Sequence, residues 1–119
     1  MKVNIEQSFD QISEHWSPKV IGRVNDQYVK VAKVKGEFVW HNHADEDELF
    51  LIVRGRLRMQ LEGEEIELNA GDIYIVPKGV MHNPIADEEC WVMLIEPVTT
   101  KHTGDVETPM TKSIAEQLA

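Results

Sequence analysis

From Val20 onward the chain is cut into short runs of aliphatic, β-branched and aromatic residues by turn formers at Asn25-Asp26, Gly36, Gly55, Glu62-Gly63, Asn69-Ala70-Gly71, Pro77-Lys78-Gly79 and Asp87-Glu88. Runs this short do not make the helices of a bundle, and their spacing predicts an all-β sandwich or barrel. The segment Arg56-Leu57-Arg58-Met59-Gln60-Leu61 carries the strand period openly. Leu57, Met59 and Leu61 fall on one face and Arg56, Arg58 and Gln60 on the other, as in a half-buried strand. A chain of 119 residues supplies one core and leaves no room for a second. The expected organisation is one domain: an N-terminal helical arm over residues 1–18, a barrel over 19–98 and a C-terminal tail over 99–119.

The two ends read differently from the middle. Ile5, Phe9, Ile12 and Trp16 recur at helical spacing behind the capping candidates Asn4 and Ser8, which predicts an amphipathic helix over residues 4–15 that Pro18 terminates. Its expected role is to cover one end of the barrel or a partner subunit. After Gly104 the chain turns polar, and Thr108-Pro109 can open a last helix over 109–118; a loosely held tail is the alternative.

Composition excludes several function classes. Twelve basic against 21 acidic side chains give a formal charge of −9, which repels phosphate backbones and anionic membranes, so no nucleic-acid or membrane partner is expected. The first residues have no apolar core of signal-peptide length and no run approaches the span of a bilayer, so the expected location is the cytoplasm. Cys90 is the only cysteine and excludes an internal disulfide; within Cys90-Trp91-Val92-Met93-Leu94-Ile95 it reads as a small buried side chain rather than a reactive thiol. The acidic clusters Asp45-Glu46-Asp47 and Glu62-Gly63-Glu64-Glu65 read as solvated turns, since like charges prefer water.

His41 and His43 are separated by one residue, and on an extended strand both side chains point the same way. Glu48 follows at the start of the apolar run Leu49-Phe50-Leu51-Ile52-Val53, and His82 closes the segment Gly71-Asp72-Ile73-Tyr74-Ile75-Val76-Pro77-Lys78-Gly79-Val80-Met81-His82. Two imidazoles from one strand, a third imidazole and a carboxylate make a candidate metal site in two halves.

These residues resemble the two motifs of the cupin superfamily. The first is carried by Gly36, His41, His43, Glu48 and Gly55, the second by Gly71, Pro77, Gly79 and His82. Two departures stand out: four residues rather than five precede His41, and the final Asn of the second motif is replaced by Ala86, with Asn83 as a possible substitute nearby. Outside the motifs, His15-Trp16-Ser17-Pro18-Lys19-Val20, Ile95-Glu96-Pro97 and Thr103-Gly104-Asp105 resemble small single-domain bacterial cupins of the mannose-6-phosphate-isomerase-like group. The resemblance implies a double-stranded β-helix, or jelly-roll, barrel and a homodimer, with the N-terminal helix and an exposed Trp16 available to the partner.

Three neutral imidazoles and one carboxylate suit a divalent Fe, Mn, Zn, Ni or Co ion and can leave open positions for a ligand. The implied function is a metal-binding cupin acting on a small organic molecule, oxygenase-type before isomerase, with Glu48 as ligand and candidate catalytic base. A non-catalytic ligand- or metal-binding module and a purely structural cupin are the rivals. A sugar-phosphate isomerase needs convergent basic groups, and Arg23, Lys33, Arg54 and Lys78 have no assignable place at the pocket. Counting alternate residues from the ligands puts Val39, Phe50 and Ile52 along the pocket, with Met81 and Trp91 as neighbours. His15 and His102 lie outside the motifs and read as surface or packing residues, although His102 can reach a pocket mouth.

Overall fold

The computed structural model describes residues 1–119. Seven strands, β1 (Lys19–Val24), β2 (Gln27–Glu37), β3 (Glu48–Arg54), β4 (Arg56–Leu61), β5 (Glu64–Asn69), β6 (Ile73–Val76) and β7 (His82–Pro97), make up nearly half of the chain. Every pairing between them is antiparallel. The sheet runs β1-β2-β7-β3-β6, and β4 joins it through β7 while carrying β5 on its other side. The 16-residue β7 organises this arrangement. Its first residues, His82–Ile85, pair with β4, and its second half lies between β2 and β3.

Alternation decides what faces inward. Cys90, Val92 and Leu94 of β7, Ala32 and Val34 of β2, Phe50 and Ile52 of β3, and Leu57 and Met59 of β4 are all buried in one apolar cluster. The face read as buried on β4 is therefore the buried one, and Cys90 is fully enclosed. Burial pushes the Cys90 thiol up to about 11, so it is an unreactive core residue at neutral pH. On the other side of the sheet a smaller cluster joins Phe9, Ile12 and Val31 to Trp91 and Met93, with Phe9 stacked on Trp91 at 4.6 Å between centroids.

The N-terminal helix is shorter than its periodicity predicts. Asn4 caps it by accepting from the Gln7 N–H, but α1 spans only Ile5–Ser8 before a 3-10 turn over Phe9–Gln11. The apolar residues serve two surfaces that one helix face cannot reach. Phe9 and Ile12 pack on the outer face, whereas Trp16, at φ 58°, turns inward and stacks on Phe38 at 4.5 Å. Its Nε1–H donates to the Lys35 carbonyl at 2.8 Å. Trp16 is thus a buried core residue, which corrects the expectation of an exposed contact.

The C-terminal helix is also shorter than expected: α2 spans Ile114–Leu118, opened by a Ser113/Glu116 capping box instead of Pro109. The preceding residues form a turn in which the Thr111 hydroxyl accepts from the Thr108 N–H at 3.0 Å and contacts the Thr103 hydroxyl at 2.7 Å. Thr100, Thr103 and Gln117 are buried, and Lys112 Nζ meets Glu14 Oε1 at 2.9 Å, so the tail is docked against the arm and sheet. No helix is long and apolar enough to cross a membrane.

Candidate metal centre

His41, His43, Glu48 and His82 are all buried, and one ligand atom from each lies within 4.8 Å of all the others. Glu48 is the first residue of β3 and His82 the first of β7. The pair of histidines sits in a connecting segment rather than a strand: His41 makes an isolated bridge to His82, its N–H donating to the His82 carbonyl at 3.0 Å and its carbonyl accepting from the His82 N–H at 2.9 Å. The His43 carbonyl accepts from the Gly79 N–H at 2.8 Å. These bonds lock the first motif against the second.

Two of the rings are oriented by the same local device. His41 Nδ1–H donates to the Val39 carbonyl at 2.9 Å and His82 Nδ1–H to the Val80 carbonyl at 3.0 Å. A carbonyl can only accept, so each neutral ring keeps a bare lone pair on Nε2. His82 Nε2 then faces Glu48 Oε1 at 3.3 Å, and His43 Nε2 lies 3.5 Å from the same oxygen. His43 has no hydrogen-bond partner on either ring nitrogen. Buried acceptors aimed at one another call for a cation between them. The donor set fits a divalent transition metal, and the cluster could hold one.

The electrostatics agree with that geometry. Burial, then the neighbouring His82, lowers His41 to about 4, which keeps it neutral and ligand-competent. Burial on its own would raise Glu48, but the adjacent His43 and His82 rings outweigh it and hold the carboxyl well below its ordinary range. Beneath Glu48 lies an ion pair that sequence reading missed, Lys30 Nζ to Glu96 Oε1 at 2.8 Å, with residues 1% and 3% exposed. Burial and the adjacent Glu48 charge push Glu96 well up. The signal was legible in the strand period, since Lys30 is in phase with Ala32 and Val34, and Glu96 with Val92 and Leu94.

An apolar cavity of about 40 Å³ adjoins His41 and Glu48, with Phe50, Leu57, Val92 and Leu94 in its wall. Of the expected lining residues, Phe50 is present. Val39 instead packs on the core and supplies the carbonyl for His41. Ile52 is in phase with Phe50 but is absorbed into the core, 1% exposed. Met81 is displaced to a surface cleft with Leu61 and Glu62, because the backbone of its segment puts His82 inside. Trp91 has the opposite phase to Cys90 and Val92 and lies outside, under Arg54 at 4.1 Å. His15 is at the surface, paired with Glu89 at 2.8 Å.

The supporting Asn expected near the second motif has no counterpart at the rings. Ala86 is core, and the Asn83 side chain donates to Glu37 and Gln60 instead. No lysine or arginine lines the cavity. His102, from the tail, does line it, with its ring 5.1 Å from that of Phe38.

The cupin domain family model matches residues 27–96. A cupin-2 domain containing protein from Shewanella frigidimarina, known as a crystal structure, is 48% identical, with a TM-score of 0.79 over 80% of this chain and 93% of its own. Protein NMB1881 from Neisseria meningitidis is 28% identical, with a TM-score of 0.76 over 82% and 99% of the two chains. Uncharacterized protein YdbB of Bacillus subtilis is 36% identical over 74 residues, which are 61% of this chain and 66% of that protein. The match to a further protein, from Aquifex aeolicus, spans 40% of that protein's length.

Proposed function

Because the chain belongs to the cupin domain family, we propose that it is a metal-dependent cupin whose sheet closes as a jelly-roll barrel around one divalent ion. His41, His43, Glu48 and His82 hold the ion, and a small organic molecule binds beside it in the apolar cavity. The observation that carries this reading is the 3.3 Å approach of His82 Nε2 to Glu48 Oε1 while His82 Nδ1–H is committed to Val80. Only a proton or a metal ion satisfies that pair, and His41 and His43 add two further free donors.

A bound ion would supply oxygen activation if redox-active, or polarisation of a carbonyl if not. The chain supplies the surroundings. Phe50, Leu57, Val92 and Leu94 exclude water, and the carbonyls of Val39 and Val80 keep two rings in the ligating tautomer. Glu48 is either ligand or base. Oxygenase-type chemistry on a compact molecule is the first reading, and a binding module without turnover is the second. Sugar-phosphate isomerisation ranks last, since the basic groups that phosphate needs are elsewhere: Lys33 and Arg54 lie over Trp91, and Arg23 is tied to the Asn25 carbonyl. Pairing of two copies in the cytoplasm completes the proposal, supported by the exposed Ile73 and Ile75 of the edge strand β6.

Elemental analysis of natively purified protein tests the reading. One equivalent of a transition metal is expected, with strong loss in His41→Ala and in His82→Ala. Full stoichiometry in either variant would overturn the ligand set. Oxygen uptake by ferrous protein separates the oxygenase from the binding module, and Glu48→Gln, if it retains metal but loses turnover, makes Glu48 the base.

A further inference from the structure

His102 stands outside the segment matched by the family model, yet its ring lines the same cavity as His41 and Glu48. The tail fixes its protonation. The Lys112 backbone N–H donates to His102 Nδ1 at 2.9 Å, so that nitrogen keeps its lone pair and the neutral ring carries its proton on Nε2. Burial, with Lys30 next, lowers the ring to about 4, so it is neutral at neutral pH. The two ring nitrogens point apart, and Nε2–H is given to no acceptor in the protein. The other side-chain N–H groups in the wall, Trp16 Nε1–H and His41 Nδ1–H, are already given to the Lys35 and Val39 carbonyls.

We propose that His102 determines ligand specificity by donating Nε2–H to the free carboxylate oxygen of a short-chain 2-oxo or 2-hydroxy acid. The acid's remaining oxygens face His41, His43, Glu48 and His82, so the inference rests on the metal-centre reading above. Size, wall and charge each point to this class. A cavity of about 40 Å³ has room for about three water-sized groups at roughly 10–15 Å³ each, so it takes the short alkyl end of the acid while the oxygens lie at the metal centre. Phe50, Leu57, Val92 and Leu94 suit a short alkyl group, and without lysine or arginine the wall offers nothing to a phosphate. Three neutral imidazoles and one carboxylate leave a divalent ion net positive in apolar surroundings, which favours an anionic ligand over a neutral one. A 2-oxo acid can present two oxygens to the ion and still have one for His102.

The test uses cobalt(II)-loaded protein titrated with pyruvate and, separately, with acetylacetone, read by the visible cobalt spectrum. Pyruvate has the third oxygen, whereas acetylacetone chelates with both of its own. His102→Phe is expected to bind cobalt stoichiometrically and to weaken pyruvate roughly tenfold to a hundredfold, as for loss of a hydrogen bond to a charged group. Acetylacetone affinity should stay unchanged, and His102→Gln, which keeps an N–H donor, should recover much of the pyruvate affinity. Equal weakening of both probes, or none for pyruvate, overturns the role of His102. Failure of cobalt-loaded wild type to bind pyruvate overturns the ligand class. A protein that takes up no cobalt overturns the metal-centre reading and this inference with it. Histidine ¹⁵N spectra give an independent check: a proton on Nδ1 of His102 instead of Nε2 would sink the assignment.

Discussion

Lys30 and Glu96 are costly residues in the interior, because an ammonium and a carboxyl group are both taken out of water beside Glu48. Lys30→Met leaves a buried carboxyl without its partner and is expected to cost about 3–5 kcal/mol, whereas Lys30→Met with Glu96→Leu should recover most of it. Urea unfolding of the two variants checks the contrast; equal losses would mean that the pair is not the source of the cost. His102 gives a second prediction at this scale. Its folded value of about 4 lies below the ordinary 6.5, so on acidification the unfolded chain takes up a proton before the folded one. Stability is therefore full above pH 6.5 and declines as pH falls towards 4, by roughly 3 kcal/mol from this group. In chelator-treated protein, His102→Phe should make the stability profile shallower over that window, the remaining slope coming from His41. The four metal-centre residues were legible in the sequence because their spacing is local to two motifs. Lys30 and Glu96 were inward by strand period but went unread, and His102 was placed only as far as a pocket mouth, because the neighbours that fix these three come together only when distant elements pack.

The strands were readable from their turns and alternation, and the two helices were readable in place but not in length. Helical spacing in Ile5, Phe9, Ile12 and Trp16 arose from residues bound for two different surfaces, and the polar 108–111 segment was used for a hydroxyl-bonded turn before α2. The single-residue phases of Met81 and Trp91 failed for a related reason, since Met81 lies just before β7 and the β7 register against β2 breaks between Ala86 and Cys90, so counting from the ligands does not carry through. The tail's attachment gives a prediction for an element. Gly104 has φ +59°, and a Cβ there would lie 2.1 Å from the Asn42 carbonyl oxygen, beside the ligand-bearing segment. Gly104→Ala should destabilise by more than about 1 kcal/mol and expose the tail to limited proteolysis. A tail that stays resistant, in a variant of unchanged melting temperature, would mean the contact is not needed for docking.

Across the whole molecule, the proposed ion would tie together a connecting segment, the start of β3 and the start of β7. Anything that binds only the folded state stabilises it, by about 2.7 kcal/mol at a free concentration a hundred times Kd. The melting temperature should therefore rise with added cobalt or zinc in the wild type and stay flat in His82→Ala, as differential scanning calorimetry would read. The proposed pairing is tested by sedimentation equilibrium, with Ile75→Lys expected to yield monomer. The chain has three tryptophans, and only Trp16 stands in the cavity wall. With Trp40 and Trp91 replaced by Phe, its fluorescence becomes an internal optical gauge: open-shell ions such as cobalt or nickel should quench it, closed-shell zinc should not, and ligand entry can be timed without a label.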